Sequence, residues 1–233
     1  MNYSWTSQPE KAEETVGAQE ARPAEQLQKI AAEIAGCTAC PLAKTRHKTV
    51  PGEGSPDAEI MFIGEGPGYH EDQDGRPFVG AAGQFLTELL TSIGLSRSDV
   101  FIANVVKCRP PNNRDPLPEE LSACDPFLRR QVSAIHPKII VTLGRFSMAK
   151  YFSSGPISKI HGQPRKEGGV IYLPLFHPAA ALHQPALRKL VEEDFKKIPV
   201  LLEEMRREAS AEASEPDSEP EVAVETATQL SLF

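Results

Sequence analysis

The spacing of hydrophobic residues along the chain predicts a series of helices. In residues 23–35, apolar side chains recur every three or four positions, and Gly36 follows as a stop. This spacing places Leu27, Ile30, Ala31 and Ile34 on one face of an amphipathic helix. The same period predicts further helices over residues 83–93, residues 118–135, a short stretch through Met148 to Phe152, and residues 185–207 with a break at Pro199.

Four short runs of apolar residues lie between these helices and predict buried strands. They occupy residues 59–63, 100–106, 139–143 and 170–176. Strands that alternate with helices favour a parallel sheet that is covered on both faces. The sequence therefore predicts an α/β fold, a three-layer α/β/α sandwich with a central four-stranded parallel sheet, over residues 24–207.

Both ends of the chain differ from this middle part. Residues 1–23 show no hydrophobic period, and residues 208–233 are rich in Ala, Ser, Glu and Pro. Such compositions predict disordered tails. Although the whole chain has a net charge of −7, the first 26 residues carry −3 and the last 26 carry −7, which leaves +3 for residues 27–207. The acidic overall charge therefore does not exclude a nucleic-acid surface on the middle part.

The composition excludes a membrane-spanning protein and favours the cytoplasm. No apolar run approaches the ~18–20 residues that a membrane span needs. The polar and acidic N-terminus has no apolar segment of the kind that secretory signals contain. We therefore expect the protein in the cytoplasm, where thiols stay reduced, and we expect its four cysteines to serve a metal site or catalysis before disulfides.

Polar residues follow the predicted strands at the edge where parallel sheets bind ligands. Glu65 lies in the glycine-rich GEGPG segment after the first strand, and Phe78 precedes the next helix. Asn104 lies near the end of the second strand, and His177 follows the fourth. Each of these side chains also has a purely structural interpretation, as a solvated acid, a core ring, a buried amide or a helix cap. Together they favour a small ligand pocket, because they combine a carboxylate, an aromatic ring, an imidazole and an amide. The amide suits the imide edge of a pyrimidine.

The cysteines form one close pair and two distant single residues. Cys37 and Cys40 make a CTAC segment, while Cys108 and Cys124 follow much later. A zinc site usually has a second close pair, whereas a four-thiolate iron–sulfur cluster tolerates wider spacing. The spacing alone leaves an iron–sulfur cluster, a zinc site and unligated thiols open.

Several segments together resemble the family 4 uracil-DNA glycosylases, the iron–sulfur branch of the uracil-DNA glycosylase superfamily. They are CTACPLAKTR, VPGEG, GEGPG, GRPFVGAAG, NVVKCRPPNNR and FHP, within roughly residues 30–180. The resemblance implies the α/β/α fold, a DNA repair enzyme that hydrolyses the bond between uracil and deoxyribose, and a structural 4Fe–4S cluster. It further implies four cluster ligands, Cys37, Cys40, Cys108 and Cys124.

The resemblance also implies a role for each pocket residue. Glu65 would activate or position the attacking water, and His177 would donate a hydrogen bond to uracil O2. Phe78 would stack on the extruded base, and Asn104 would read its pyrimidine edge. Backbone contacts to the base are implied for Gly66, Pro67 and Gly68, and exclusion of thymine is implied for Glu71.

The last five residues, QLSLF, resemble the bacterial sliding-clamp binding motif. Gln229 would anchor the motif, and Leu230, Leu232 and Phe233 would supply its apolar contacts. About 20 residues of predicted linker give an r.m.s. reach of ~25 Å. A clamp contact would then raise the local concentration of the enzyme at replicating DNA, which predicts a nucleoid-associated protein. The alternative is a chance apolar end of the chain.

Two other functions remain open. One is a non-catalytic nucleic-acid-binding protein whose cluster or zinc organises a DNA surface, and the other is a small electron carrier, against which the predicted pocket argues. We expect a monomer that acts on uracil-containing DNA. We also expect a monofunctional enzyme that leaves an abasic site, because the motifs place no lysine for a Schiff base.

Overall fold

The structure is a computed structural model, and it describes residues 21–153, 155–182 and 184–212. Most of both predicted tails, and with them the QLSLF motif, lie outside the described residues. None of the described helices is long and apolar enough to cross a membrane. The α-helices in these ranges are α1 (Pro23–Gly36), α2 (Tyr69–Asp74), α3 (Ala81–Ser92), α4 (Pro118–Ile135), α5 (Arg145–Tyr151), α6 (Ile157–Ile160), α7 (Pro178–Ala181), α8 (Pro185–Phe195) and α9 (Lys197–Glu212).

A six-stranded sheet forms the centre of the fold, with the strand order β1-β3-β2-β4-β6-β5. The four inner strands are parallel, whereas both edge strands run antiparallel to their neighbours. The predicted α/β fold with a central parallel sheet is confirmed, and two edge strands are added to it. The strands are β1 (Glu53–Gly54), β2 (Ile60–Gly64), β3 (Phe101–Asn104), β4 (Ile139–Leu143), β5 (Arg165–Glu167) and β6 (Val170–Leu175).

The two faces of the sheet bury alternate side chains of each strand. On β2, Ile60 and Phe62 pack with α3, α8 and α9, while Met61 and Ile63 pack on the opposite face with Leu128 of α4. This alternation divides the apolar core into two layers, one on each side of the sheet. The arrangement fits the expected three-layer sandwich.

The last helical segment differs from the predicted one at its break and at its end. The break lies at Lys196 instead of Pro199, and α9 continues to Glu212, beyond the boundary at residue 207. Pro199 occupies the first turn of α9, where a backbone N–H has no partner within the helix. A proline there is compatible with a helix start, so Pro199 does not interrupt the helix.

The register of the inner strands brings the predicted pocket residues to one edge. Gly64 at the end of β2 pairs with Asn104 at the end of β3. Leu143 at the end of β4 pairs with Leu175, two residues before His177. The loops that follow β2, β3 and β6 therefore begin at the same edge of the sheet, and the site lies between them.

Candidate active site

One cavity of about 400 Å³ lies at this edge of the sheet. The structure brings together on its walls all eight residues to which the sequence assigned catalysis or substrate binding. They are Glu65, Gly66, Pro67, Gly68, Glu71, Phe78, Asn104 and His177. The size and the mixed polar and apolar walls suit a small, flat, polar ligand.

Asn104 forms the floor of the cavity at the end of β3. Its side chain is 2 % exposed, and no donor among the described residues reaches its amide oxygen Oδ1. Buried polar atoms are normally hydrogen-bonded, because an unpaired one costs about 1–3 kcal/mol. An unpartnered acceptor on the cavity wall is therefore a position for a donor that a ligand supplies.

Phe78 lies beside Asn104 in an unusual backbone conformation. Its φ is +53°, in the left-handed region that bulky side chains rarely occupy. The Arg97 guanidinium stabilises this turn from behind: Nη2 donates to the carbonyl of Pro77 at 2.7 Å and Nη1 donates to the carbonyl of Phe78 at 3.1 Å. These bonds hold Phe78 in the strained conformation, and residues strained in this way often lie at functional sites.

Gly64 explains how the ring and the amide fit together. A Cβ at Gly64 would lie 2.4 Å from Asn104 Oδ1 and 2.6 Å from Phe78 Cζ. Real Cβ atoms do not come this close to other heavy atoms. The missing side chain at Gly64 therefore lets the two groups share one wall.

His177 closes the cavity from the β6 side, and its hydrogen bonding fixes its tautomer. Its Nδ1 accepts a hydrogen bond from the backbone N–H of Ala179 at 3.1 Å. An acceptor Nδ1 carries no proton, so Nε2 carries the proton of the neutral ring and is a donor. Burial lowers the pKa of His177 to about 4, although the charge of Glu71 acts in the opposite direction. The imidazole is thus a neutral donor at physiological pH, and its ring lies 5.5 Å from that of Phe78, stacked at 24°.

Glu65 follows β2 directly and is half-buried on the cavity wall. Burial raises the pKa of its carboxyl, and so does the charge of Asp115, while Arg145 acts in the opposite direction. No hydrogen-bond donor holds the Glu65 carboxylate within the part of the chain that the structure describes. A carboxylate with a raised pKa and free oxygens can accept a proton from a bound water.

Glu71 has a different environment, because three backbone N–H groups bind its carboxylate. One oxygen accepts from Val79 and Gly80, both at 2.9 Å, and the other accepts from Gly68 at 3.1 Å. Glu71 thereby caps α2 and ties the GEGPG loop to the segment that follows Phe78. The carboxylate lines the cavity at a fixed position.

The cavity is also lined by six residues that were not identified from the sequence. Four of them come from the loop after β3, in which Asn112 and Asn113 both have a φ of +54°. The Asn-Asn pair was the available signal, since asparagine tolerates the left-handed conformation. The six residues are Ala82, Pro110, Asn113, Arg114, Pro116 and Ala179.

The four cysteines converge on a second, smaller cavity beneath the loop after β3. Arg46 donates to Cys108 Sγ at 3.3 Å, and the backbone N–H of Lys107 donates to Cys124 Sγ at 3.2 Å. Among the described residues, no three His, Cys, Asp or Glu side chains lie close enough to hold a single metal ion. Four cysteines that line one cavity, with N–H donors directed at two of the sulfurs, fit the donor set of an iron–sulfur cluster.

Lys107 connects the cysteine cavity with the first one. Its side chain is fully buried, and Nζ donates to the backbone carbonyl of Asn104 at 2.9 Å and to Gln131 Oε1 at 2.6 Å. Gln131 in turn donates to the carbonyl of Pro51 at 2.7 Å. Lys107 therefore contacts Cys124 through its backbone N–H and the backbone of Asn104 through its side chain.

Comparison with known proteins agrees with this arrangement. A family model described as the uracil DNA glycosylase superfamily matches residues 51–198. A type-4 uracil-DNA glycosylase of Sulfurisphaera tokodaii is 55% identical over 74% of this chain and 83% of its own length. The enzyme of the same name from Archaeoglobus fulgidus is 50% identical over 75% of this chain and 92% of its own length. The one from Thermotoga maritima is 49% identical over 74% of this chain and 93% of its own length.

Proposed function

This chain belongs to the uracil-DNA glycosylase superfamily, in its type-4 branch, and on that premise we propose that the cavity holds one uracil extruded from DNA. The protein is a DNA repair enzyme that hydrolyses the bond between uracil and deoxyribose. The observation that carries the site assignment is the unpartnered oxygen of Asn104 in a cavity that also contains Glu65, Phe78 and His177. One cavity thus combines an acceptor, a carboxylate, an aromatic ring and a neutral donor.

Recognition of uracil rests on Asn104 and Phe78. The imide edge of uracil presents an N3–H donor beside the O4 acceptor. Asn104 Oδ1 accepts from N3–H, which satisfies the orphaned oxygen, and its amide NH₂ donates to O4. Phe78 provides the face on which the flat ring stacks. Cytosine has no proton on N3 and carries a donor in place of O4, so the same amide orientation rejects it.

Hydrolysis separates an electron-poor sugar from an electron-rich base. The C1′–N1 bond breaks with its electron pair on uracil, and the negative charge spreads to O2. His177 Nε2–H donates to O2 and stabilises that charge, as a neutral donor can do without losing its proton. Glu65 positions the water that bonds to C1′ and accepts its proton.

Glu71 provides discrimination against thymine in this proposal. Its carboxylate is held by the N–H groups of Gly68, Val79 and Gly80, so it does not swing aside to admit a larger base. Uracil and thymine differ by one methyl group at C5. A fixed charged group at that position excludes the methyl by contact and by desolvation.

Cys37, Cys40, Cys108 and Cys124 would hold a 4Fe–4S cluster, to which their shared cavity and the donors near Cys108 and Cys124 lend support. When bound, the cluster would supply a structural crosslink, since the hydrolysis needs no electron. Its protein ligands belong to α4, to the loop after β3 and to the segment that follows α1. Lys107 would connect this crosslinked region to Asn104, because its Nζ donates a hydrogen bond to the Asn104 carbonyl.

The product of this reaction is an abasic site with an intact strand. A lyase step would require an amine in the cavity, and no lysine is among the residues that line it.

The enzyme acts as a monomer. Its C-terminal Gln229, Leu230, Leu232 and Phe233 bind a bacterial sliding clamp and bring it to replicating DNA in the nucleoid; the sequence of that segment supports this part of the proposal.

An excision assay tests the proposed function. Purified protein is mixed with an oligonucleotide that carries one uracil, the released base is quantified, and the strand is then treated with alkali. We expect free uracil and strand cleavage only after alkali, with no release from a matched oligonucleotide that contains thymine. Binding of the uracil strand without release would favour the non-catalytic nucleic-acid-binding protein instead.

A further inference from the structure

Tyr69 is an exposed aromatic side chain beside the cavity. It is the first residue of α2 and directly follows Gly68 on the cavity wall. The side chain is 55% exposed, and among the large apolar side chains that the structure describes as exposed it is the only aromatic one. The fold does not use this ring for its core.

Arg109, in the loop after β3, lies over the Tyr69 ring. Its guanidinium carbon is 5.2 Å from the ring centroid, and Nε donates to Asn113 Oδ1 at 2.7 Å. Asn113 itself lines the cavity. The Tyr69–Arg109 pair therefore joins the start of α2 to the loop after β3 at the rim of the cavity.

The charge of Arg109 is available to a ligand. Two other arginines near the rim are neutralised, since Arg114 binds Glu120 at 2.6 Å and Arg145 pairs with Asp115. No carboxylate pairs with Arg109 among the described residues. A free guanidinium that is stacked on an exposed ring combines a phosphate donor with a surface for a base.

We propose that Tyr69 and Arg109 form a subsite for the nucleotide next to the extruded uridine, in which Tyr69 stacks on the neighbouring base and Arg109 contacts the adjoining phosphate. This inference rests on the proposed function, because the subsite is defined relative to a uracil in the cavity. Extrusion of one base removes a stacking partner from each neighbour. An aromatic ring at the rim replaces that partner, and it does so for any base, because every base has a π-face.

Single-stranded substrates with one uracil test the subsite. In one strand both neighbours are ordinary nucleotides, and in two others an abasic spacer replaces the neighbour on the 5′ or the 3′ side. We expect Tyr69→Ala to lower kcat/KM about tenfold on the ordinary strand, by the stacking of one base. The loss shrinks when the spacer replaces the base that Tyr69 contacts. Tyr69→Phe keeps the ring and retains the activity, and Val200→Ala, an exposed apolar residue on α9, controls for loss of surface.

Salt dependence tests the contribution of Arg109. We expect Arg109→Gln to reduce the slope of log(kcat/KM) against log salt by about 1, which is the change expected for the loss of one phosphate contact. An unchanged slope, or a Tyr69→Ala loss that is equal on all three strands, overturns the subsite. If the wild-type enzyme releases no uracil from any of the strands, the proposed function itself fails, so the two failures are distinguishable.

Discussion

The amide oxygen of Asn104 lies so close to Gly64 that a Cβ on Gly64 would be 2.4 Å from it. Because these residues pair across β2 and β3, the contact follows from the register of the sheet and not from a flexible loop. The Phe78 ring would be 2.6 Å from the same Cβ. One missing side chain thus sets the position of the two groups that we assign to uracil recognition.

Replacement of Gly64 by alanine should damage recognition more than the fold. We expect Gly64→Ala to lower kcat/KM by about a hundredfold, because the methyl displaces the Asn104 amide or the Phe78 ring by a large fraction of an ångström. Gly36→Ala is the matched control, since a Cβ at Gly36 meets nothing within 4 Å. Steady-state kinetics on a uracil oligonucleotide, with circular dichroism of both variants, checks this. Near wild-type kinetics in a folded Gly64→Ala protein would show that the contact does not position Asn104.

The inner sheet was predictable because its strands are apolar runs between amphipathic helices. The helix Pro118–Ile135 and the strand Ile139–Leu143 were predicted with their observed bounds. The strand β1 has two residues, and β5 is three exposed polar residues, so neither has a hydrophobic pattern. The helix α2 was missed for the same reason, since YHEDQD contains no apolar period and forms through Glu71, which caps its start.

The family resemblance alone implied that Glu71 and residues 66–68 belong to the pocket. Asn104 and His177 were also predicted from their positions at strand ends, because the ends of parallel strands share an edge. Arg97 was not, because its contact with the Phe78 carbonyl joins residues 19 positions apart through a turn that no local pattern specifies. Asn113 was missed because its loop approaches the cavity only through the fold.

The pH dependence of the reaction should reflect Glu65 and not His177. The pKa of Glu65 is raised above its ordinary 4.5, so the ionised form that accepts a proton is lost as the pH falls through that raised value. The pKa of His177 is lowered from 6.5 to about 4, so the ring stays neutral throughout the range above that value. We expect kcat/KM, measured under single-turnover conditions, to fall on the acid side with one transition that Glu65→Gln removes. A loss of activity as the pH rises through about 6.5, if it persists in Glu65→Gln, would mean that His177 acts as an imidazolium.

The two nitrogens of His177 should have separable effects. His177→Ala removes both the Nε2–H donor and the acceptor that caps α7, whereas Asn at this position retains a side-chain acceptor for the Ala179 N–H. We expect the single-turnover rate of both variants to be about 10²–10³-fold lower than that of the wild type. Only the alanine variant should also lose about 1 kcal/mol of unfolding free energy. A His177→Asn enzyme with nearly full rate would contradict the assignment of Nε2–H to uracil O2.

Removal of one cysteine should release the proposed cluster and lower stability. We expect the wild-type protein, purified without oxygen, to contain about four irons and four acid-labile sulfides per chain. Cys108→Ser should lose the iron, the visible absorbance and several degrees of melting temperature, because the crosslink between α4 and the CTAC segment is broken. The control is Ala39→Ser, which adds a hydroxyl between Cys37 and Cys40 and leaves all four thiols. A colourless wild-type protein with zinc would refute the cluster.

Deletion of residues 229–233 should separate clamp binding from catalysis. The residues that line the cavity lie between Glu65 and Ala179, so the deletion removes no group that we assign to uracil or to water. We therefore expect unchanged kcat and KM on free oligonucleotides and loss of binding to a purified bacterial sliding clamp, measured by surface plasmon resonance. A chain with the same five residues in scrambled order is the matched control, because it keeps the length and composition of the tail. It should also fail to bind if Gln229, Leu232 and Phe233 act as a motif. Clamp binding that survives both changes would assign the contact to another surface, and the C-terminal segment would then have no part in recruitment.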